Sequence, residues 1–118
     1  MDKIKVYGIP NCDTIKKTLA WFKQHHINIE FHDYKKSGIR KEKLTGWCKK
    51  AGWDVLLNKK STTWRSLSFS EQEKIINQSS AIKLMIENTS IIKRPVIEFR
   101  DRILIGFDEQ NLFKIFFE

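Results

Sequence analysis

Cys12 is the residue of this sequence whose type and position most directly indicate chemistry. It follows the turn-forming residues Pro10 and Asn11 and precedes a helical pattern, so we expect it at a helix N-terminus. Backbone N–H groups in the first turn of a helix lack intrahelical partners and carry the positive end of the macrodipole, so they stabilise an anion. Such surroundings lower the pKa of a thiol from about 8.5 to about 3.5–7.5. The position therefore predicts a nucleophilic thiolate.

The other cysteine, Cys48, has a different setting. It lies beside Trp47 in the middle of a predicted helix, on a face that we expect to pack into the core. Most cysteines are small buried residues without a reactive role. We interpret Cys48 as such a structural residue. For Cys12 a structural role is the weaker interpretation, because it lies at the start of a helix.

A cysteine three residues after Cys12 would give a CxxC dithiol, but that position is Ile15. Thiol–disulfide exchange through Cys12 therefore needs an external thiol such as glutathione to resolve the mixed disulfide. No bound cofactor is expected. Since His25 and His26 are adjacent and no cluster of cysteines or carboxylates completes a ligand set, we also expect no metal site.

Apolar periodicity predicts the elements that position Cys12. Residues 3–7 alternate as a strand, and residues 12–26 carry an apolar helical stripe. Residues 27–33 alternate again as a second strand. The order strand, turn, helix, strand predicts a βαβ unit with parallel strands.

The end of the chain predicts a hairpin and a helix. Val96–Phe99 and residues 103–105 are short apolar strands separated by charged residues, which is typical of an antiparallel pair. Residues 109–117 carry apolar positions at helical spacing. Together with the opening unit, this predicts an α/β fold of the order βαβ…ββα with a four-stranded mixed sheet.

Residues 39–90 show helical patterns and few strand signals. Three helices are predicted there: residues 41–51, a helix opened by a capping box at residues 70–73, and residues 80–87. Neither a linker nor an internal repeat interrupts the chain. We therefore predict a single domain over residues 1–118 with a helical insertion at about 39–90.

Composition limits the function classes. The 118 residues are 41% hydrophobic, enough for a packed core, and include 22 basic and 14 acidic residues for a formal charge of +8. No signal-peptide or membrane-span pattern is present, so we expect a cytoplasmic monomer that does not bind membranes. The basic stretch at residues 35–50 is interpreted as a solvated helix face; nucleic acid is the weaker alternative because no recognition motif accompanies the charge.

Six segments resemble the arsenate reductase-like (ArsC/Spx/YffB) family in order and spacing, most closely its YffB-type members. They are residues 7–17 (YGIPNCDTIKK), 32–34 (HDY), 56–58 (LLN), 62–65 (TTWR), 91–95 (IIKRP) and 104–107 (LIGF). The resemblance covers nearly the whole chain. It implies a thioredoxin-like fold with a helical insertion, in agreement with the pattern of strands and helices.

The resemblance also implies site residues. It makes Cys12 the nucleophile and Pro95 a cis proline beside it. Arg94 then makes sense as a partner for a carboxylate or oxyanion, because its planar fork binds such groups in a bidentate way. Three further residues complete the expected substrate and glutathione site. Asn11 and Arg65 lie in matched segments, and Lys60 lies where YffB-type members commonly have a basic residue.

Departures from the family pattern decide between functions. Arsenate reductases of this family carry a histidine where this chain has Gly8 and a further arginine near Gly106, so the resemblance argues against arsenate as substrate. We expect a glutathione-dependent thiol oxidoreductase with glutathione or glutaredoxin as its thiol partner. The alternative is an Spx-like transcriptional regulator that binds the RNA polymerase α subunit, although Ile15 replaces the second cysteine of the redox switch usual in such regulators.

Overall fold

The computed structural model describes residues 3–118 and contains one four-stranded mixed sheet. The strands are β1 (Ile4–Gly8), β2 (Glu30–Asp33), β3 (Val96–Phe99) and β4 (Arg102–Ile105). Their order across the sheet is β2-β1-β3-β4. β1 and β2 are parallel, whereas β1 with β3 and β3 with β4 are antiparallel. The predicted mixed sheet is thus confirmed, with parallel strands in the opening unit and an antiparallel hairpin near the end.

The described residues also form eight helices and one 3₁₀ turn. The helices are α1 (Asp13–Gln24), α2 (Tyr34–Ser37), α3 (Lys41–Ala51), α4 (Trp53–Leu56), α5 (Thr62–Ser66), α6 (Phe69–Glu73), α7 (Gln78–Glu87) and α8 (Glu109–Phe117), and the 3₁₀ turn is Thr89–Ile91. Helices α2–α7 and the turn all lie between β2 and β3 in sequence. Within the described residues, no helix is long and apolar enough to cross a membrane.

Two apolar cores lie on the two faces of the sheet because side chains alternate along each strand. Val6 and Ile97 pack with Phe22 of α1 and Leu112 of α8. A larger core on the other face contains side chains from β1 and β3 and from the helices between β2 and β3: Tyr7, Tyr34, Leu44, Trp47, Cys48, Leu56, Trp64, Met85 and Val96. The alternation in the first strand therefore decides which residues face the helical segment.

Some element boundaries differ from the prediction. The first helix begins at Asp13 with Cys12 as its N-cap, and β2 begins only at Glu30. The predicted capping box at residues 70–73 is wrong by two positions: the Ser68 hydroxyl accepts from the Glu71 N–H, and the Glu71 carboxylate accepts from the Ser68 N–H. Ser68 has the extended backbone of an N-cap residue, whereas Ser70 already lies inside the helix.

Glu98 joins α3 to the sheet. Its carboxylate accepts hydrogen bonds from the Tyr7 hydroxyl at 2.7 Å and the Trp47 indole N–H at 2.8 Å, and its Oε2 lies 3.2 Å from the Lys43 ammonium. Burial raises the pKa of Glu98, but the hydrogen bonds from Trp47, Tyr7 and Lys43 and the Lys43 charge outweigh it and lower the pKa overall. The ionised carboxylate therefore stabilises the packing of α3 on the sheet.

We predict that Glu98→Gln lowers the free energy of unfolding at pH 7 by about 1–3 kcal/mol, because an amide presents only one acceptor oxygen to three donors. Since the folded-state pKa of Glu98 is lowered, its contribution is present above the unfolded-state pKa of about 4.3 and is lost as the pH falls further. Urea unfolding at several pH values measures both effects.

The matched control for this prediction is Glu30→Gln, on the neighbouring strand β2. Glu30 is an exposed carboxylate whose ion pairs with Lys3 and Lys5 are on the surface. Its replacement should change the unfolding free energy by no more than about 0.5 kcal/mol. A Glu98→Gln deficit that stays constant as the pH is lowered would contradict the assigned role of the carboxylate.

Candidate active site

Cys12 lies where the turn after β1 meets the first turn of α1. Its backbone is extended, with φ −135° and ψ 128°, and its carbonyl accepts the first helical hydrogen bond from the Lys16 N–H at 2.9 Å. The thiol is half-buried and free. The predicted position at the start of a helix is therefore confirmed, with the side chain next to the unpaired amides of that turn.

Several positive groups act on the Cys12 sulfur. Burial raises its pKa, but the backbone N–H groups of Ile15 and Thr14, together with the charge and hydrogen bonding of Arg94, lower the pKa overall. The Cys12 side chain forms no capping hydrogen bond with the helix, so the helix N–H groups act chiefly on the thiolate rather than on the neutral thiol. The site therefore favours the thiolate, which is the nucleophilic form of cysteine.

Arg94 and Pro95 immediately precede β3. The Arg94–Pro95 peptide bond is cis, as the family resemblance implies. Pro95 is buried, and its carbonyl accepts from the Gly106 N–H at 2.9 Å, which ties it to the end of β4. The guanidinium of Arg94 donates to the Ser90 carbonyl at 3.2 Å. That bond orients the guanidinium while leaving other N–H groups to face the thiol.

Two residues that the sequence analysis did not single out support Arg94. The Ser90 hydroxyl shares a hydrogen bond with the Thr63 hydroxyl at 2.7 Å, which joins α5 to the 3₁₀ turn whose carbonyl holds Arg94. Thr63 lies within the matched segment 62–65, so the resemblance contained a signal for it, although the charge of Arg65 is the more prominent feature of that segment. The segment thus contributes through a partly buried contact between hydroxyl groups.

The remaining predicted site residues are near the surface. Lys60 is exposed on a loop held against the segment before Arg94, because the Asn58 N–H donates to the Ile91 carbonyl at 2.8 Å. Arg65 is exposed on α5, and Asn11 is exposed in the turn before Cys12. Among the described residues, neither Lys60 nor Arg65 forms a hydrogen bond or ion pair with Cys12 or Arg94. The structure thus brings Arg94 to Cys12, with Pro95 next to Arg94 in the chain.

A protein-family model described as the ArsC family matches residues 7–115. The chain belongs to the ArsC family.

The relatives of this ArsC-family chain include an uncharacterised protein, a transcriptional regulator and a solved structure. An uncharacterised protein of Haemophilus influenzae is 46% identical over 109 residues, covering 92% of this chain and 94% of its own. The global transcriptional regulator Spx of Streptococcus agalactiae is 28% identical over 111 residues, covering 92% and 80%. A solved YffB structure is 39% identical with a TM-score of 0.89 and covers 96% of this chain and 97% of its own. The predicted family and thioredoxin-like fold are confirmed.

Because Ile15 stands where a second cysteine would give a CxxC pair, the Cys12 site of this ArsC-family chain has one thiol. Its side chain is fully buried and lies over Gly8 at the end of β1. A Cβ added to Gly8 would overlap the Ile15 Cδ1 and lie 2.8 Å from its Cγ1. The two departures from the family pattern, glycine at position 8 and isoleucine at position 15, are therefore one packing arrangement.

Tyr34 is a buried residue near Arg94 that the sequence analysis quoted only as part of a motif. It follows Asp33, which pairs with Gly8 in the sheet, so it lies at the same sheet end as Cys12. Burial raises its pKa and the Arg94 charge offsets this in part, which leaves the phenol neutral. Its hydroxyl makes no hydrogen bond within the described part of the chain.

Cys48 is buried on α3, in agreement with its predicted structural role. Burial raises the pKa of its thiol, so at neutral pH it remains protonated and a poor nucleophile. The two thiols of the chain therefore have opposite electrostatic surroundings, and reactivity is expected at Cys12.

We predict that Arg94→Met raises the pKa of the Cys12 thiol and slows its alkylation by iodoacetamide at pH 7 about two- to tenfold, because a positive charge beside the thiolate is lost. The pH dependence of the alkylation rate measures this in a Cys48→Ala background. Arg65→Met is the matched control, since it removes the same charge from an exposed helix. Equal slowing in both variants would contradict a direct contact between Arg94 and the sulfur.

The packing of Gly8 under Ile15 gives a second prediction. Gly8→Ala should lower the free energy of unfolding by about 1–3 kcal/mol through overpacking, and Ile15→Val by about 0.5–1.5 kcal/mol through lost burial. The double variant should cost at least about 0.5 kcal/mol less than the sum, because valine lacks the Cδ1 that the new methyl meets. Strict additivity in urea unfolding would show that the two residues do not share this space.

Proposed function

We propose that this protein is a glutathione-dependent thiol oxidoreductase that uses Cys12 as its nucleophile. The observation that carries the proposal is the half-buried Cys12 sulfur, whose pKa is lowered by helix amides and Arg94 in a site with one thiol. Family membership supports thiol reductase chemistry in general. Such a protein acts in the reducing cytoplasm, where glutathione or a glutaredoxin supplies the second thiol.

The proposed reaction takes place in two exchanges. The Cys12 thiolate attacks the glutathione sulfur of a mixed disulfide substrate, forming a Cys12–glutathione disulfide while the substrate thiolate leaves and takes up a proton. A second glutathione, as thiolate, attacks the glutathione sulfur of this adduct. That step gives oxidised glutathione and restores the Cys12 thiolate, so one disulfide is reduced for each one formed.

The residues around Cys12 support binding of an anionic thiol. Glutathione carries two carboxylates, and the Arg94 guanidinium beside the sulfur suits one of them as a bidentate partner. Lys60 lies on the loop held next to the Arg94 segment and is the proposed contact for the second carboxylate. Asn11, which precedes Cys12 in the chain, and the peptide edge at Pro95, which follows Arg94, complete the proposed site.

Arsenate is not the proposed substrate. The resemblance places a histidine at position 8 and an arginine near position 106 in arsenate reductases. Here Gly8 is covered by Ile15, and Gly106 has a φ of +90°, a backbone conformation that favours glycine. Glycine is therefore favoured at both positions, and the site lacks the two side chains that would bind an oxyanion in an arsenate reductase.

The test uses a glutathionylated peptide and glutathione, with peptide release and a Cys12 adduct followed by mass spectrometry. We expect turnover by the wild type and by Cys48→Ala, and a loss of about a hundredfold or more in Cys12→Ser because the nucleophile is absent. Wild-type protein that forms no glutathione adduct, or a Cys12→Ser variant that retains the rate, would overturn the proposal.

A second candidate function is transcriptional regulation through RNA polymerase. The likeness to Spx, 28% identical over 111 residues, is the observation that favours it. Binding to the isolated C-terminal domain of the polymerase α subunit tests this candidate by calorimetry. Saturable micromolar binding that persists in Cys12→Ser would favour regulation, whereas no binding alongside glutathione turnover would leave the reductase as the function.

A further inference from the structure

A second cluster of charged side chains lies at the opposite end of β1 from Cys12. On the sheet face that packs against α3, Lys5 of β1 is paired with Glu98 of β3. Lys43, Trp47 and Lys50 recur at spacings of four and three along α3. These residues line a cavity of about 310 Å³ that also includes Arg102 of β4. The cavity is separate from the Cys12 site in both sequence and position.

Positive charge dominates this cavity. Among the described residues, its lining includes four lysines, two arginines and one carboxylate, that of Glu98. Both oxygens of Glu98 already accept hydrogen bonds, from Tyr7, Trp47 and Lys43. The carboxylate is therefore committed to holding α3 on the sheet, and it balances only one of the cations.

Lys50 and Arg102 line the cavity without a carboxylate partner among the described residues. The Lys50 ammonium donates to the neutral backbone carbonyl of Asp101 at 2.9 Å. Over residues 3–118, neither Lys50 nor Arg102 forms an ion pair with a carboxylate. The Lys5 ammonium lies 3.9 Å from a carboxylate oxygen of Glu30, at the limit of ion-pair distance. A cleft lined by charges of one sign concentrates its field and attracts the opposite charge.

The size and chemistry of the cavity restrict the ligand. Its volume is at the lower end of the roughly 300–1,000 Å³ usual for small-molecule sites, so it suits a compact molecule. Lysine binds phosphate as a point charge and arginine as a planar fork. Lys5, Lys50 and Arg102 come from three different elements, so their charges suit an anion with more than one phosphate group.

We propose that this cavity binds a small anion carrying two or more phosphate groups. The phosphates belong either to a free polyphosphate or to a nucleoside diphosphate. A nucleoside is included because Trp47 and Ile103 give the cavity an apolar wall, and the experiment below distinguishes the two ligands. This site does not depend on the reaction at Cys12, and it uses Lys43 and Glu98 as structural supports.

Calorimetric titration with inorganic pyrophosphate, adenosine diphosphate and orthophosphate tests the proposal on the intact chain. We expect one saturable site for a diphosphate, weaker binding of orthophosphate, and a decline with added salt. Tighter binding of adenosine diphosphate than of pyrophosphate would assign the nucleotide, and the reverse order would assign the free polyphosphate. Absence of saturable binding of both diphosphates at millimolar concentration would overturn the proposal.

Matched variants separate this site from general charge attraction. Lys50→Gln with Arg102→Gln removes two exposed cavity charges, whereas Lys17→Gln with Lys23→Gln removes two exposed charges from α1. We expect at least a tenfold loss of diphosphate affinity in the first and less than a twofold change in the second. Equal losses in both variants, or saturable binding of an RNA oligonucleotide alone, would overturn the proposal. Thermal unfolding and the Cys12 alkylation rate check that both variants are folded.

Discussion

The interaction between the Cys12 sulfur and the positive groups around it draws on separate parts of the chain. The turn after β1 places Cys12 at the N-cap of α1, and the helix supplies the N–H groups of Thr14 and Ile15. Arg94 comes from the segment before β3, more than eighty residues later. Because β1 and β3 are adjacent in the sheet, folding of the sheet brings the guanidinium to the thiol. The lowered pKa of Cys12 therefore depends on the pairing of β1, near the start of the chain, with β3, near its end.

Packing decides what kind of thiol site this is. Gly8 leaves room for Ile15, and Ile15 occupies the position of a second cysteine, so the site has one sulfur and needs an external partner. The helices between β2 and β3 support the other side of the site, because the contact of Thr63 with Ser90 fixes the turn that holds Arg94. Glu98 secures α3 on the same sheet face.

Much of this arrangement is predictable from the sequence because it depends on local signals. The strand alternation, the apolar helical stripe and the helix-start thiol are visible in the first third of the chain, and the helices at 41–51 and 109–117 match the structure at both ends. The cis bond before Pro95 followed from the family resemblance. The capping residue Ser68 was missed because two serines in the same short segment fit a capping pattern and only backbone geometry distinguishes them.

Contacts between distant residues could not be predicted in the same way. No local pattern indicates that the Thr63 hydroxyl meets Ser90, or that Glu98 accepts from Tyr7, Trp47 and Lys43, because these pairs are 27 to 91 residues apart. Arg65 is a predicted site residue because of its position in a matched segment. It is exposed on α5 and forms no hydrogen bond or ion pair with Cys12 among the described residues, so its role in binding stays a prediction.

Direct titration of the Cys12 thiolate by its ultraviolet absorbance, in a Cys48→Ala background, tests the central claim about this site. The arrangement of helix amides and Arg94 predicts a midpoint below the value of about 8.5 for a free cysteine. A midpoint at or above that value would mean that burial outweighs the positive groups. Cys12 would then not be an activated nucleophile at neutral pH.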